Sequence, residues 1–199
     1  MTNWKTGGLL ALLAIGVLTA CGSSPPVQYY ALEPQALSYE PDTDDAIVLG
    51  LGPLRTADYL KRSQMVTRGS NNEILVDSMN RWAEPLDGAI QHILATNVDR
   101  QLTSVVAVSF PDTDTAEIDY RLVGRVHRFD VDQNGLAVLE SQWRIETGDG
   151  EPMIAQRRDR FTANSTRSND PGANAAALTD VLGQFSRAIA ETAEALPKP

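Results

Sequence analysis

The sequence is poor in several chemically informative residues. It holds one cysteine and two histidines in 199 residues, and 17 Lys and Arg against 26 Asp and Glu, a net charge of −9. One cysteine excludes an internal disulfide and any cysteine-rich zinc site. His92 and His127 alone leave little material for a histidine metal cluster. The basic deficit argues against nucleic acid as a partner, because phosphate binding needs a surplus of Lys and Arg. The apolar run from Gly8 to Leu18 is about 11 residues, about 16 Å as a helix, too short for a hydrocarbon core of about 30 Å. With 42% hydrophobic and 22% charged residues, the composition is globular rather than disordered or collagenous. The length suits one domain, or at most two small ones.

What is present begins with an address. Lys5 and the amino terminus form a short cationic start, followed by the apolar run and then small residues, the layout of a secretory signal peptide. The junction Leu18-Thr19-Ala20-Cys21-Gly22 resembles the bacterial lipoprotein signal, in which the cysteine sulfur takes a diacylglyceryl group and cleavage frees an α-amine for a further acyl chain. Two or three chains anchor stably where one does not. The alternative is an ordinary signal peptide with an incidental cysteine. The lipoprotein reading gives a signal peptide over 1–20, lipidated Cys21 and a short tether over 21–28, and a domain over 29–196. Gly22 stands where an Asp would resemble an inner-membrane retention signal, which implies the periplasmic face of the outer membrane. Seven residues from Gly22 to Gln28 reach at most about 25 Å, so the domain hangs close to its membrane and cannot cross the periplasm. Residues 1–20 contain one charged side chain, Lys5, so their removal leaves a balance of −10 over 179 residues. A domain of that size buries about 70% of its unfolded surface and folds without staples.

Patterning along the mature chain predicts a strand at Tyr29–Leu32, a polar loop over Pro34–Asp45, and a buried strand at Ala46–Leu51 ended by Gly52-Pro53. One helical turn is expected within Leu54–Arg62, then a hairpin of Gln64–Arg68 and Glu73–Ser78. Leu86, Ile90, Ile93, Leu94, Val98 and Leu102 share one face of a helix from Pro85 to about Thr103. A meander follows: Val105–Phe110, a turn at Asp112-Thr113-Asp114, and a half-buried strand from Ile118, whose apolar phase slips between Val126 and Phe129 as at a β-bulge. Asn134-Gly135 is a hairpin turn, Leu136–Thr147 returns, Gly148-Asp149-Gly150 turns again, and Met153–Thr162 adds a strand. A second amphipathic helix runs over Gly172–Leu196, with Pro197 as its stop. The fold class is α+β, a two-layer domain with a mostly antiparallel sheet packed against two long amphipathic helices.

Few residues suggest catalysis. Asp130-x-Asp132-x-Asn134-Gly135 copies the first half of an EF-hand loop, but the closing position holds Ser141 and the flanks read as strands, so an acidic hairpin turn is the expectation. No serine sits in a Gly-x-Ser-x-Gly elbow. Glu84 and Asp87 can be cast as a glycosidase pair, yet carboxylates at a helix start are common for helix-end reasons. The expectation is a protein that is not an enzyme and has neither cofactor nor metal. Arg157-Arg158-Asp159-Arg160 offers either a contact for an acidic partner or anionic headgroups, or solvated charge balanced by nearby acids.

A more specific signal lies in residues 52–102. Gly52-Pro53-Leu54, Tyr59-Leu60-Lys61-Arg62, Gln64-Met65-Val66-Thr67-Arg68 and Arg81-Trp82-Ala83-Glu84-Pro85-Leu86 occur in that order before the helix. This resembles the ABC-type transport auxiliary lipoprotein family. Lys61 stands where the family has Asp, and Ser63 where it has Pro. The resemblance implies a non-catalytic lipoprotein beside an MCE-domain protein that spans the periplasm and an inner-membrane transport component, in a system moving lipid between the two membranes. It also leaves room for a homo-oligomer. Two other classes stay open: a pilotin-like assembly lipoprotein and a lipid-binding shuttle. The block leaves Tyr59, Arg62, Val66, Thr67, Arg68, Arg81, Trp82, Glu84 and Pro85 as either partner contacts or structural positions. Pro85 is pre-organised for a helix start, Trp82 can pack over the first turn, and Arg81 can bridge to Glu84.

Overall fold

The structure, a computed structural model, describes residues 25–35, 46–111 and 117–198. The signal peptide, Cys21, the first residues of the tether, most of the Pro34–Asp45 loop and the Asp112–Asp114 turn lie outside the described residues.

Among the described residues, eight strands and two helices form two layers. The strands are β1 (Gln28–Tyr30), β2 (Ile47–Thr56), β3 (Gln64–Arg68), β4 (Ile74–Trp82), β5 (Val105–Ser109), β6 (Tyr120–Asp132), β7 (Leu136–Thr147) and β8 (Arg157–Asn164). The helices are α1 (Leu86–Asp99) and α2 (Pro171–Glu194). The α+β class and the two amphipathic helices are as the sequence predicts. The sheet is mixed: β6–β7, β7–β8 and β3–β4 are antiparallel, whereas β2 runs parallel to both β5 and β6, β3 parallel to β6, and β1 parallel to β4.

The expected meander of the Val105 strand into the Ile118 strand is therefore corrected. β2 lies between β5 and β6 and pairs with both. Its Leu49 and Leu51, fully buried, supply the apolar centre that both neighbours need. β6 then acts as a hinge line. Its first half pairs with β2 and its end with β3, and the expected bulge falls at Val126–Arg128, where the change of partner begins.

Several boundaries move for local reasons. β2 does not stop at Gly52-Pro53: it passes through a cis Gly52–Pro53 bond, shifts register between Leu51 and Leu54, and continues to Thr56. Gly52 has φ +133°, and a Cβ there would meet the Phe110 carbonyl oxygen and the Gln91 side chain, so only glycine suits the position. The expected helical turn shrinks to a 3₁₀ turn at Asp58–Leu60. α1 ends at Asp99 rather than near Thr103, because the Gln101 amide caps the Asn97 carbonyl and Asp99 turns to accept from the Ala107 N–H. β8 starts late because Met153 N–H and Ile154 N–H both donate to the Ile145 carbonyl instead of extending a ladder. In the Asn134-Gly135 hairpin only Gly135 takes positive φ, at +85°, and Asp132 caps the turn through the Asn134 and Leu136 N–H groups.

Both helices lie on one face of the sheet. α2, entered through an Asp170 cap on the Ala173 N–H with Pro171 behind it, sets Phe185 between Trp143 and Phe161, with ring centroids 5.9 and 5.6 Å apart. Trp143, Phe129 and Phe185 are among the largest fully buried side chains, so the interlayer space is filled by side chains. α1 packs on β2, β5 and α2. Gln91 fastens it there, accepting from the Leu54 N–H at 3.2 Å and donating to Ser109 Oγ and the Phe110 carbonyl at 2.9 Å each. Among the described residues no helix is long and apolar enough to cross a membrane.

Candidate functional site

The block from Tyr59 to Leu86 folds into two clusters, one closed and one open. The closed cluster centres on Asp130, which is 0% exposed on β6. Tyr59 Oη donates to its Oδ2 at 2.8 Å, Arg68 reaches it through Nη2 at 2.8 Å and Nε at 3.2 Å, and Arg128 Nε donates to Oδ1 at 2.9 Å. Tyr59 Oη in turn accepts from the Phe129 N–H at 3.3 Å, and the Arg68 guanidinium lies 5.7 Å from the Tyr59 ring centre. Burial, then the Asp130 charge and hydrogen bond, push the Tyr59 hydroxyl up to about 12. The Asp130 hydrogen bond holds Arg68 more firmly protonated. A buried carboxylate with two guanidiniums and a phenol is satisfied on all sides. Tyr59 and Arg68 are thus both paired with Asp130. Val66 and Thr67 are half-buried on β3 beside them, with Thr67 in register with Val131 of β6.

The open cluster is a surface groove of about 450 Å³ at the start of α1. Tyr29, Arg62, Arg81, Trp82, Glu84 and Pro85 are among the residues that line it. Trp82 is 5% exposed, and its backbone N–H donates to the Ser63 carbonyl at 2.7 Å. The Ala83 N–H donates to the Tyr30 carbonyl at 2.8 Å, which ties the block to β1. Pro85 is the N-cap rather than the first helical residue, and no side chain caps α1. The expected Arg81–Glu84 bridge is not among the ion pairs of the described residues, and Arg81 Nε is buried without a hydrogen-bond partner. Arg62 spends its Nε on the Tyr59 carbonyl at 2.9 Å. Lys61, the departure from the family pattern, pairs instead with Asp58 at 2.7 Å, and that partner lowers the Asp58 pKa.

The remaining candidates sit apart. The EF-hand-like run is an acidic hairpin turn: Asp130 is taken by arginines and Asp132 by its own turn. Among the described residues no group of three or more His, Cys, Asp or Glu is placed to hold a metal ion. His127 is exposed and within 3.3 Å of Gln142, and His92 is exposed on α1. Of the Arg157–Arg160 run, Arg157 pairs with Asp159 at 3.7 Å and Arg160 with Glu140 at 3.2 Å. Sequence reasoning missed the hub role of Asp130, and its partner Arg128 entirely. Alternation within β6 hides both, because the bulge gives the core face to Phe129 and Val131 and turns Arg128 and Asp130 to the face opposite the helices.

A two-layer α+β domain with a mixed sheet, a sealed acid–arginine hub and an open groove beside its first strand is the class that the geometry defines. The chain belongs to the ABC-type transport auxiliary lipoprotein family, whose model matches residues 30–190. Membership makes it an auxiliary lipoprotein component of an ABC-type transport system, anchored to a bacterial membrane, in a family of transport auxiliaries rather than enzymes. An uncharacterised protein of known crystal structure shares the fold at a TM-score of 0.69 and 21% identity, covering 84% of this chain and 99% of that one. Protein XCC0632 from Xanthomonas campestris, of the DUF330 family, does so at a TM-score of 0.67 and 19% identity, over 84% and 95%. No curated protein matches the chain significantly.

Proposed function

We propose that the protein is the outer-membrane end of an MCE-type lipid transport system, a docking partner rather than a catalyst. In this reading residues 1–20 are removed as a signal peptide, Cys21 carries the acyl chains, 21–28 are the tether and 29–196 the docking domain. The observation that carries it is the groove. The Arg81–Leu86 block opens beside Tyr29, eight residues after Cys21, so the surface built from the family-like residues lies where a tether of about 25 Å holds it near the membrane. Arg62, Arg81, Trp82, Glu84 and Pro85 are the partner contacts, and Tyr59, Val66, Thr67 and Arg68 hold the wall behind them.

The filled interlayer core, with Trp143, Phe129 and Phe185 fully buried, speaks against a shuttle that carries lipid in an internal cavity. Purification of the tagged full chain from detergent-solubilised membranes tests the proposal. An MCE-domain protein and its inner-membrane component are expected to co-purify. Recovery of another envelope machine instead, or of stoichiometric phospholipid alone, overturns it.

A further inference from the structure

The sheet face opposite the helices carries an unbalanced row of charge. Arg55 of β2 is in register with Arg125 of β6, Arg125 with Gln142 of β7, and Gln142 with Arg158 of β8. Residues in register project to the same side of a sheet, and these four line two adjoining hollows, of about 480 and 400 Å³, that share Gln142 and His127. Arg55, Arg125 and Arg158 are all exposed. None of the three has an acid within ion-pair distance among the described residues, whereas the neighbouring Arg144 and Arg160 are matched by Glu146 and Glu140. Asp58 feels the Arg125 charge but is held by Lys61.

Like charges directly opposite in a sheet are destabilising, and Arg55 faces Arg125 across one strand spacing. In a chain of net charge −9 this concentration of unmatched guanidinium stands out. The row crosses three strand spacings, about 14 Å, which an extended segment covers in about five residues. Guanidinium forks favour carboxylates and phosphates. The hollows have no exposed aromatic of the kind that seats a protein at a bilayer interface; the exposed Tyr29 belongs to β1, at the far edge.

We infer that the Arg55–Arg125–Gln142–Arg158 row is a docking strip for a short acidic segment of a partner protein. It rests on the docking reading only in placing that segment on a protein partner, and it involves a face distinct from the groove. Binding of a fluorescent Asp/Glu-rich peptide to the detergent-solubilised full chain, read by anisotropy, tests it. Saturable binding is expected, weakened at least about tenfold when salt rises from about 0.1 M to about 1 M and the Debye length falls from about 10 Å to about 3 Å. Arg125→Gln with Arg158→Gln is expected to weaken binding by a similar factor. The same variant is expected to melt no lower than the parent, because it relieves repulsion. Cys21→Ala is expected to bind the peptide normally, which separates this test from the anchoring reading. Unchanged peptide affinity in the double variant overturns the inference. So does a lowered melting temperature with lost binding, which makes the arginines structural, or a row-dependent preference for phosphatidylglycerol vesicles over the peptide.

Discussion

At the scale of single residues, the hub around Asp130 decides most. Tyr59, Arg68 and Arg128 converge on one carboxylate that has no access to water. Removing the charge with Asp130→Asn leaves two guanidiniums on a half-buried wall, and a loss of about 3 kcal/mol is expected in urea denaturation. Tyr59→Phe removes a milder interaction, about 1–2 kcal/mol at neutral pH. Its pH dependence is more telling. The Tyr59 hydroxyl is raised from the ordinary 10 to about 12, so its share of stability is complete below pH 10 and is lost as pH climbs through 12. The stability gap between parent and Tyr59→Phe should therefore narrow between pH 10 and 12, and a constant gap would contradict the assignment.

Part of this hub is legible in the sequence and part is not. Tyr59 and Arg68 stand out within the family-like block, but local patterning casts Asp130 as half of a calcium loop. It belongs to the block's support instead, about seventy residues away in sequence, through pairing of β3 with the end of β6. Such a long-range register leaves no mark on residue spacing.

At the scale of elements, the two helices are read well from their apolar faces, and the strands less well. The hairpins β3–β4, β6–β7 and β7–β8 are local and carry turn residues that reveal them, such as Asn71 and Asn72 at φ 59° and 64° and Gly135. The insertion of β2 between β5 and β6 is non-local, and a run such as Val105–Ser109 looks the same whichever neighbour it takes. Helix α2 is held by the stack of Trp143, Phe185 and Phe161. Phe185→Ala is expected to cost about 3–5 kcal/mol, measured as a fall in the denaturation midpoint. Loss of under 1 kcal/mol would mean that the interlayer core relaxes around the gap.

At the scale of the whole molecule, the proposal divides the work between an anchor at Cys21 and the domain. In that proposal the tether limits where the domain can reach, and the filled core directs attention to surfaces rather than to an interior. Cys21→Ala is expected to abolish incorporation of labelled palmitate and release the protein from membranes, checked by fractionation. Membrane retention without acylation would contradict the anchoring proposal.

The central claim is that the Arg81–Leu86 groove meets an MCE-domain partner. Site-specific photocrosslinking in cells tests it most directly, with the probe placed at exposed Glu84 in the groove and, as a control, at exposed Gln133 in the β6–β7 turn. The proposal predicts an MCE-domain protein crosslinked from position 84 and not from position 133. A crosslink to a different envelope protein from position 84, or equal yields from both positions, would contradict it.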